Sequence, residues 1–189
     1  ITQGKDRPLS FPWPILTGES QALRPGTITV VCGQPGAAKT FFVLQCAAYW
    51  HEQKIPAVVY MLEEDRQYHH HRVLAQRTGN ALWTDPEWIR ANGIEVLATL
   101  ETEGEWLTAF DRTIFDAPHE AVDYVAIKKW IKQTAEAGAK IICIDPITAA
   151  SSSLTASTAS GCGRGPLLCA STRRRATSSA APSMASTST

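Results

Sequence analysis

Gly33-Gln34-Pro35-Gly36-Ala37-Ala38-Lys39-Thr40 decides how the rest of the chain is read. Before it comes an apolar, β-branched run, Thr27-Ile28-Thr29-Val30-Val31-Cys32, and after it a run from about Ala38 to Glu52 that is apolar nearly all round a helix. The order strand, glycine-containing loop, helix is the context in which the phosphate-binding pattern G-x-x-x-x-G-K-[ST] carries meaning, and the octet nearly matches that pattern. Glycines let the backbone curl so that successive N–H groups point inward at a polyphosphate, and the start of the helix adds positive potential. The octet Gly33, Gln34, Pro35, Gly36, Ala37, Ala38, Lys39 and Thr40 is therefore expected to cradle the phosphates of ATP. Lys39 supplies a point charge for the β- and γ-phosphates, and the Thr40 hydroxyl is placed to ligate Mg²⁺. Ala38 departs from the pattern, which has glycine there. Helical dihedrals are expected at Ala38 and suit alanine, whereas a positive φ would not.

Outward from the octet, strands and helices alternate. Pro25-Gly26 is a turn signal before the strand at 27–32, and residues 1–24, with Pro8, Pro12 and Pro14, read as a lead-in loop. The strand at 27–32 is apolar enough to be buried on both faces. Pro56–Leu62 reads as a second strand and Arg66–Arg77 as a helix that stops before Gly79. Thr84-Asp85-Pro86-Glu87 is a helix start, Ile94–Leu97 a short strand, and Ala121–Ala137 a helix closing at Gly138. Lys140–Asp145 is the last strand. Such alternation predicts an α/β fold, a mainly parallel sheet flanked by helices. Ligands of open parallel sheets bind beyond the carboxyl ends of the strands, where Glu63 and Asp145 both fall. Asp145 is a candidate to hold Mg²⁺ through water. Glu63 is a candidate base for the attacking water, and its alternative is a first-turn acid of the next helix, a role that Glu64 and Asp65 fit better.

Composition narrows the partners. The chain of 189 residues has 18 basic and 18 acidic residues, so no global field argues for nucleic acid. The neutrality is uneven, because residues 151–189 hold four arginines and no acid, which leaves 14 basic against 18 acidic residues before them. That tail uses only nine residue types and has almost no large apolar side chain, so it cannot offset an ordering entropy of roughly 1–2 kcal/mol per residue. It reads as a low-complexity Ser/Thr/Ala/Arg segment, either a disordered linker or a frameshifted stretch. Residues 25–150 form the domain that precedes it. Ile1 in place of a methionine suggests a piece of a longer product. No run reaches the about 18 consecutive apolar residues that a membrane helix needs, and a cytoplasmic location with no membrane partner is expected.

Five cysteines form no C-x-x-C pair, and Cys32, Cys46 and Cys143 lie in apolar runs, where a thiol behaves as a small hydrophobe. Neither zinc nor a disulfide framework is expected. His69-His70-His71 is not expected to hold a metal, since neighbours on a helix point about 100° apart and shared ligands want i,i+3 or i,i+4 spacing. Trp83, Trp88 and Trp106 read as packing residues.

Several of these stretches together carry a resemblance. Pro25–Val30, the loop at Gly33–Thr40, Val58–Glu63 with Arg72 nine positions beyond Glu63, and Ile141–Asp145 resemble the RecA-like P-loop NTPase core of DnaB- and RepA-type hexameric helicases, within the AAA family ATPases. His70-His71-Arg72 is similar to the His-His-Arg of RepA-type members. The resemblance implies ATP and Mg²⁺ as cofactors, Glu63 and Lys39 as catalytic residues, Thr40 and Asp145 as metal ligands, a hexameric homo-oligomeric ring, and single-stranded DNA as partner. It implies ATP hydrolysis in DNA replication or mobile-element maintenance. A RecA-like core continues past the strand that ends at Asp145, and no such continuation is recognisable after Thr148, so the fold reads as incomplete at its C-terminus. A non-helicase ATP-binding regulatory module and a non-functional truncated remnant are the alternatives.

Overall fold

The computed structural model describes residues 8–20, 22–116 and 122–150 of the chain. Six α-helices lie among them: α1 (Pro14–Ser20), α2 (Lys39–Glu52), α3 (Arg66–Thr78), α4 (Pro86–Ala91), α5 (Gly93–Asp111) and α6 (Tyr124–Glu136). Three strands, β1 (Ala57–Met61), β2 (Ile114–Asp116) and β3 (Ile141–Asp145), form a wholly parallel sheet in the order β2-β1-β3. The α/β reading holds: a parallel sheet flanked by helices, of the RecA-like P-loop kind. The tail at 151–189 and its cysteines, Cys162 and Cys169, lie outside the described residues.

Alternation along β1 sorts the two faces. Val59 and Met61 pack with Leu44 and Ala47 of α2, Val73 of α3 and Phe110 of α5. Tyr60, pointing the other way, packs with Ile127 and Trp130 of α6 and with Ile144. Helices thus cover both faces, as continuous apolar strands require.

Four expectations from the sequence are corrected. First, residues 27–32 join no ladder and are exposed, with Ile28 at 92% and Val30 at 70% of full accessibility. β3 bonds β1 on one side only, and β-propensity expresses a fit to a half-buried surface that a neighbouring strand must supply. Cys32 accordingly is exposed, while burial pushes the Cys46 and Cys143 thiols up to about 12. Second, Ile94–Leu97 is the start of α5, not a strand. The helical pattern continues through Trp106, packed against the core, and the buried Phe110, and that packing decides the local structure over the β-preference of Ile94 and Val96. Third, the lead-in contains α1 and is packed: Trp13 stacks on Phe42 of α2 at 5.3 Å, and Trp50 Nε1 donates to Ser10 O at 2.7 Å. Fourth, the helix expected from Ala121 starts at Tyr124 under a cap from Asp123, and Ala121 lies outside the described residues.

Trp83 is buried against Trp88, ring centroids 6.0 Å apart, and Trp106 stacks on Phe110 at 4.8 Å. Arg77 ties three helices together. Its guanidinium lies 3.7 Å over the Trp106 ring, its Nη1 donates to Glu52 at 2.6 Å, and its Nε donates to Glu103 at 2.6 Å. Glu52 is half-exposed, so solvent screens that pair, whereas Glu103 and the ring contact are better shielded. Arg77→Leu is expected to cost about 1–2 kcal/mol, mostly through the unpaired Glu103 and the lost ring contact. Urea unfolding with an unchanged midpoint would show that the tie contributes nothing.

Candidate functional site

Parallel pairing in the register Met61↔Asp145 brings the ends of β1 and β3 to one edge of the sheet, and Leu62 N donates to Asp145 O at 2.9 Å just beyond the ladder. At that edge opens a cleft of about 580 Å³ lined by the octet from Gly33 to Thr40, Gln34 excepted, and by Glu63, Glu64, Tyr68, His69, Arg72 and Asp145. Lys39, Thr40, Glu63 and Asp145, far apart in the chain, therefore share one cavity. Gln34 belongs to the same loop through its carbonyl, which accepts from Ala37 N at 3.1 Å.

The loop ends on a helix start that is left open. Asp side chains cap α3, α4 and α6, but Ala38 gives α2 no side-chain cap. The first amide of α2 to reach a helical carbonyl is that of Phe42, bonded to Ala38 O at 3.0 Å, so the amides of Lys39, Thr40 and Phe41 precede the helical ladder. A helix N-terminus without a carboxylate cap is free to receive an anion. Lys39 Nζ donates to Gly33 O and Gln34 O, each at 3.0 Å, and so closes the loop on itself.

Backbone geometry corrects the expectation at Ala38, which has φ 56° and ψ 27°, a left-handed conformation. Gly36 is also left-handed, with φ 79°. Glycine adopts this region freely, but an alanine there costs about 1–2 kcal/mol. The pattern's glycine before the lysine thus answers a real backbone need, and this chain meets it with strain.

Across the cleft, the segment between β1 and α3 is held at its α3 end. Asp65 Oδ1 accepts from Tyr68 N at 2.8 Å, and His69 Nε2 lies 3.2 Å from Glu64 O. A carbonyl only accepts, so that contact assigns the proton to Nε2 of a neutral ring. His69 is 2% exposed, and its Nδ1 has no partner among the described residues. Burial lowers its pKa below 6.5; the Glu64 carbonyl and Asp145 pull the other way, and the Arg72 charge adds to the lowering. Glu63 is exposed at the cleft mouth, and Asp145 is buried at the end of β3. Arg72 sits over the rings of Phe41, at 4.7 Å, and Tyr68, at 3.9 Å, and also bonds the Tyr68 hydroxyl.

His69 is a cleft residue that the sequence reading weighed only as a metal ligand. Its signal is its i,i+3 spacing to Arg72, which puts both on one face of α3. His70, beside it, turns away and places Nε2 2.8 Å from Asp111 Oδ1, without hydrogen-bond alignment. No group of three His, Cys, Asp or Glu among the described residues is placed to hold a metal ion, and no described helix is long and apolar enough to cross a membrane.

Comparison with known proteins gives one positive finding: the sequence profile described as "AAA domain" matches residues 18–167, a span that contains the octet, Glu63 and Asp145. No curated protein and no solved structure matches the chain.

Two outcomes follow from the site's geometry. Ala38→Gly relieves about 1–2 kcal/mol of left-handed strain and adds about 0.4–1 kcal/mol of unfolded-state entropy, so a net gain near 1 kcal/mol is expected. Ala38→Val, β-branched in the same conformation, is expected to lose stability. A urea midpoint order other than Gly, Ala, Val would contradict the geometry. Because folded His69 binds its proton less readily than unfolded His69, the folded state loses stability as pH falls below 6.5 toward the lowered folded value. The urea midpoint is expected to drop between about pH 7.5 and about pH 5, and the drop is expected to shrink in His69→Gln, which keeps a donor for Glu64 O without a titrating ring. His51 and His71, also lowered by burial, supply the remainder. An equal drop in wild type and variant would remove His69 from the account.

Proposed function

The chain belongs to the AAA domain family of P-loop ATPases, and from that premise we propose that it binds and hydrolyses Mg-ATP as a helicase-like, RecA-fold motor acting in DNA replication or mobile-element maintenance. The observation that carries the reading is the single cleft that gathers Lys39, Thr40, Glu63 and Asp145 around an uncapped helix start.

Each residue has a task its position supports. Amides of the loop and of the first turn of α2 receive the phosphate oxygens. Lys39 exchanges its two loop carbonyls for β- and γ-phosphate oxygens, a trade of neutral acceptors for anionic ones. The Thr40 hydroxyl and the Asp145 carboxylate are hard oxygen donors at the same edge, a set suited to Mg²⁺ that keeps several of its waters. Bound there, the ion would neutralise charge on the β- and γ-phosphates. Glu63 orients a water in line with the γ-phosphorus and takes its proton as the new P–O bond forms; the β-phosphate oxygen of ADP leaves with the electron pair of the broken bond. With little covalent work to do, the protein contributes mainly position and electrostatics.

DNA as partner and a ring assembly rest on the resemblance to DnaB- and RepA-type helicases through Glu63, Arg72 and the His70-His71-Arg72 run. A regulatory ATP-binding module would use the same cleft without DNA. Lys39→Ala is expected to lower ATP turnover by at least about 100-fold, and single-stranded DNA is expected to raise the turnover of the wild type. Turnover in the Lys39→Ala protein equal to wild type would overturn the site. Intact turnover that ignores DNA would leave the ATPase and remove the motor.

A further inference from the structure

Outside the apolar core, two side chains are buried among the described residues, His69 and Asp145, and both line the cleft. The nucleotide chemistry uses Asp145 and leaves His69 without a task. Nothing in the packing asks for an imidazole there. His69 lies on α3 one turn before Val73, whose side chain joins the cluster of Leu44, Val59 and Phe110. An apolar side chain would continue that stripe, whereas the ring brings in Nδ1, a buried acceptor with no partner among the described residues. A buried polar group left half satisfied costs stability, so what the ring contributes lies in its other nitrogen.

That nitrogen, Nε2, is 3.2 Å from Glu64 O, and the neutral ring donates across the contact. Residues 62–65 connect β1 to α3. Leu62 is tied to β3 through its amide, 2.9 Å from Asp145 O, and Asp65 is tied to α3 through its side chain, which accepts from Tyr68 N at 2.8 Å. Glu63 and Glu64 stand between these anchors, both exposed, and the contact with His69 is the one hydrogen bond that reaches either of them among the described residues. Holding the Glu64 carbonyl fixes the peptide that follows it and removes backbone freedom from a short connection, so the direction of the Glu63 side chain depends on that bond.

We propose that His69 is a positioning residue for Glu63: its Nε2–H holds the Glu64 carbonyl and so keeps the Glu63 carboxylate aimed into the cleft, where a water attacks the γ-phosphate. The proposal rests on Glu63 as the base in ATP hydrolysis and adds the residue that orients it. Its effect falls on the chemical step, since the amides of the loop and of α2, which receive the phosphates, belong to the opposite wall.

Three variants of the full chain separate this role from packing. Gln carries a donor nitrogen as many bonds from Cα as Nε2 of histidine, Asn one only as far out as Nδ1, and Leu none. Single-turnover hydrolysis at saturating Mg-ATP is expected to fall by about 10- to 100-fold in His69→Leu and His69→Asn and to recover in His69→Gln, with the Kd for Mg-ATP alike in all of them. At about pH 7.5, where the ring is neutral, the urea midpoint of His69→Leu is expected to be no lower than that of wild type, because the unpartnered Nδ1 is gone and water can take the carbonyl of the exposed Glu64. In nucleotide-free wild type, nitrogen NMR of the side chain is expected to show His69 with its proton on Nε2, a readout independent of turnover. A proton on Nδ1 overturns the proposal. So does hydrolysis in His69→Gln as slow as in His69→Leu, or a loss in His69→Leu that follows a lowered urea midpoint or weakened Mg-ATP binding, each of which gives the ring a packing role. Wild type that hydrolyses Mg-ATP beside an equally active His69→Leu removes the role of His69 alone. Wild type that does not hydrolyse Mg-ATP overturns the ATPase itself, and the orienting role falls with it.

Discussion

Five consecutive rungs hold β1 to β3, from Ala57↔Ile141 to Met61↔Asp145, and every feature of the cleft depends on that register. Parallel strands deliver their carboxyl ends to the same edge, so an acid at the end of each arrives beside the other. A slip of one residue would turn Asp145 to the opposite face of the sheet and take it out of the cleft. The register is fixed by burial on both faces, Val59 and Met61 against α2, α3 and α5, and Tyr60 against α6. The apolar packing of the sheet therefore positions the polar residues at its edge, and Leu62 N to Asp145 O extends the same tie to the segment that carries Glu63.

The helix on the other wall works by omission. Asp65, Asp85 and Asp123 each cap a helix in the ordinary way, accepting from a backbone amide of the first turn. A carboxylate at the start of α2 would stabilise the helix by a similar amount and would repel a phosphate from the same amides. Ala38 provides neither cap nor relaxed backbone, so the cleft wall is less stable than the fold alone would permit. Strain of about 1–2 kcal/mol held at this loop is small beside the charge-assisted bonds that an anion would make with its amides.

Much of this was legible in the residues, and the exceptions share a cause. The octet, the strands at Ala57–Met61 and Ile141–Asp145, and the helices around them are local patterns of apolar spacing, caps and glycines, and they appear within about three residues of where they were expected. Thr27–Cys32 has the composition of a buried strand, but strand formation is a property of neighbours, and β3 offers that segment no ladder among the described residues. Ile94–Leu97 looks like a strand only until Trp106 and Phe110, about three and four turns further on, are seen to need one continuous helix. β2, with three residues, is too short to stand out from a helix end. The left-handed backbone at Ala38 was legible only as the missing glycine, because a sequence names the residue and not its φ. His69 was hidden by its neighbours: three histidines in a row suggest a shared role, whereas the helix turns the first, buried, toward the cleft and the second toward Asp111.

Neutral composition hides a further property of this surface. Eighteen charges of each sign cancel over the chain, which excludes a long-range field but says nothing about how the charges are distributed. α5 has five acids and no base, α6 three lysines and one acid, and the sheet between them keeps the two apart. Opposite charges in adjacent helices of one face would satisfy each other within the subunit. On opposite faces they are held apart by the sheet, and at a screening length near 8 Å under physiological salt they hardly feel each other. A zero net charge is thus compatible with a strongly directional surface, acidic on the side of α5 and basic on the side of α6.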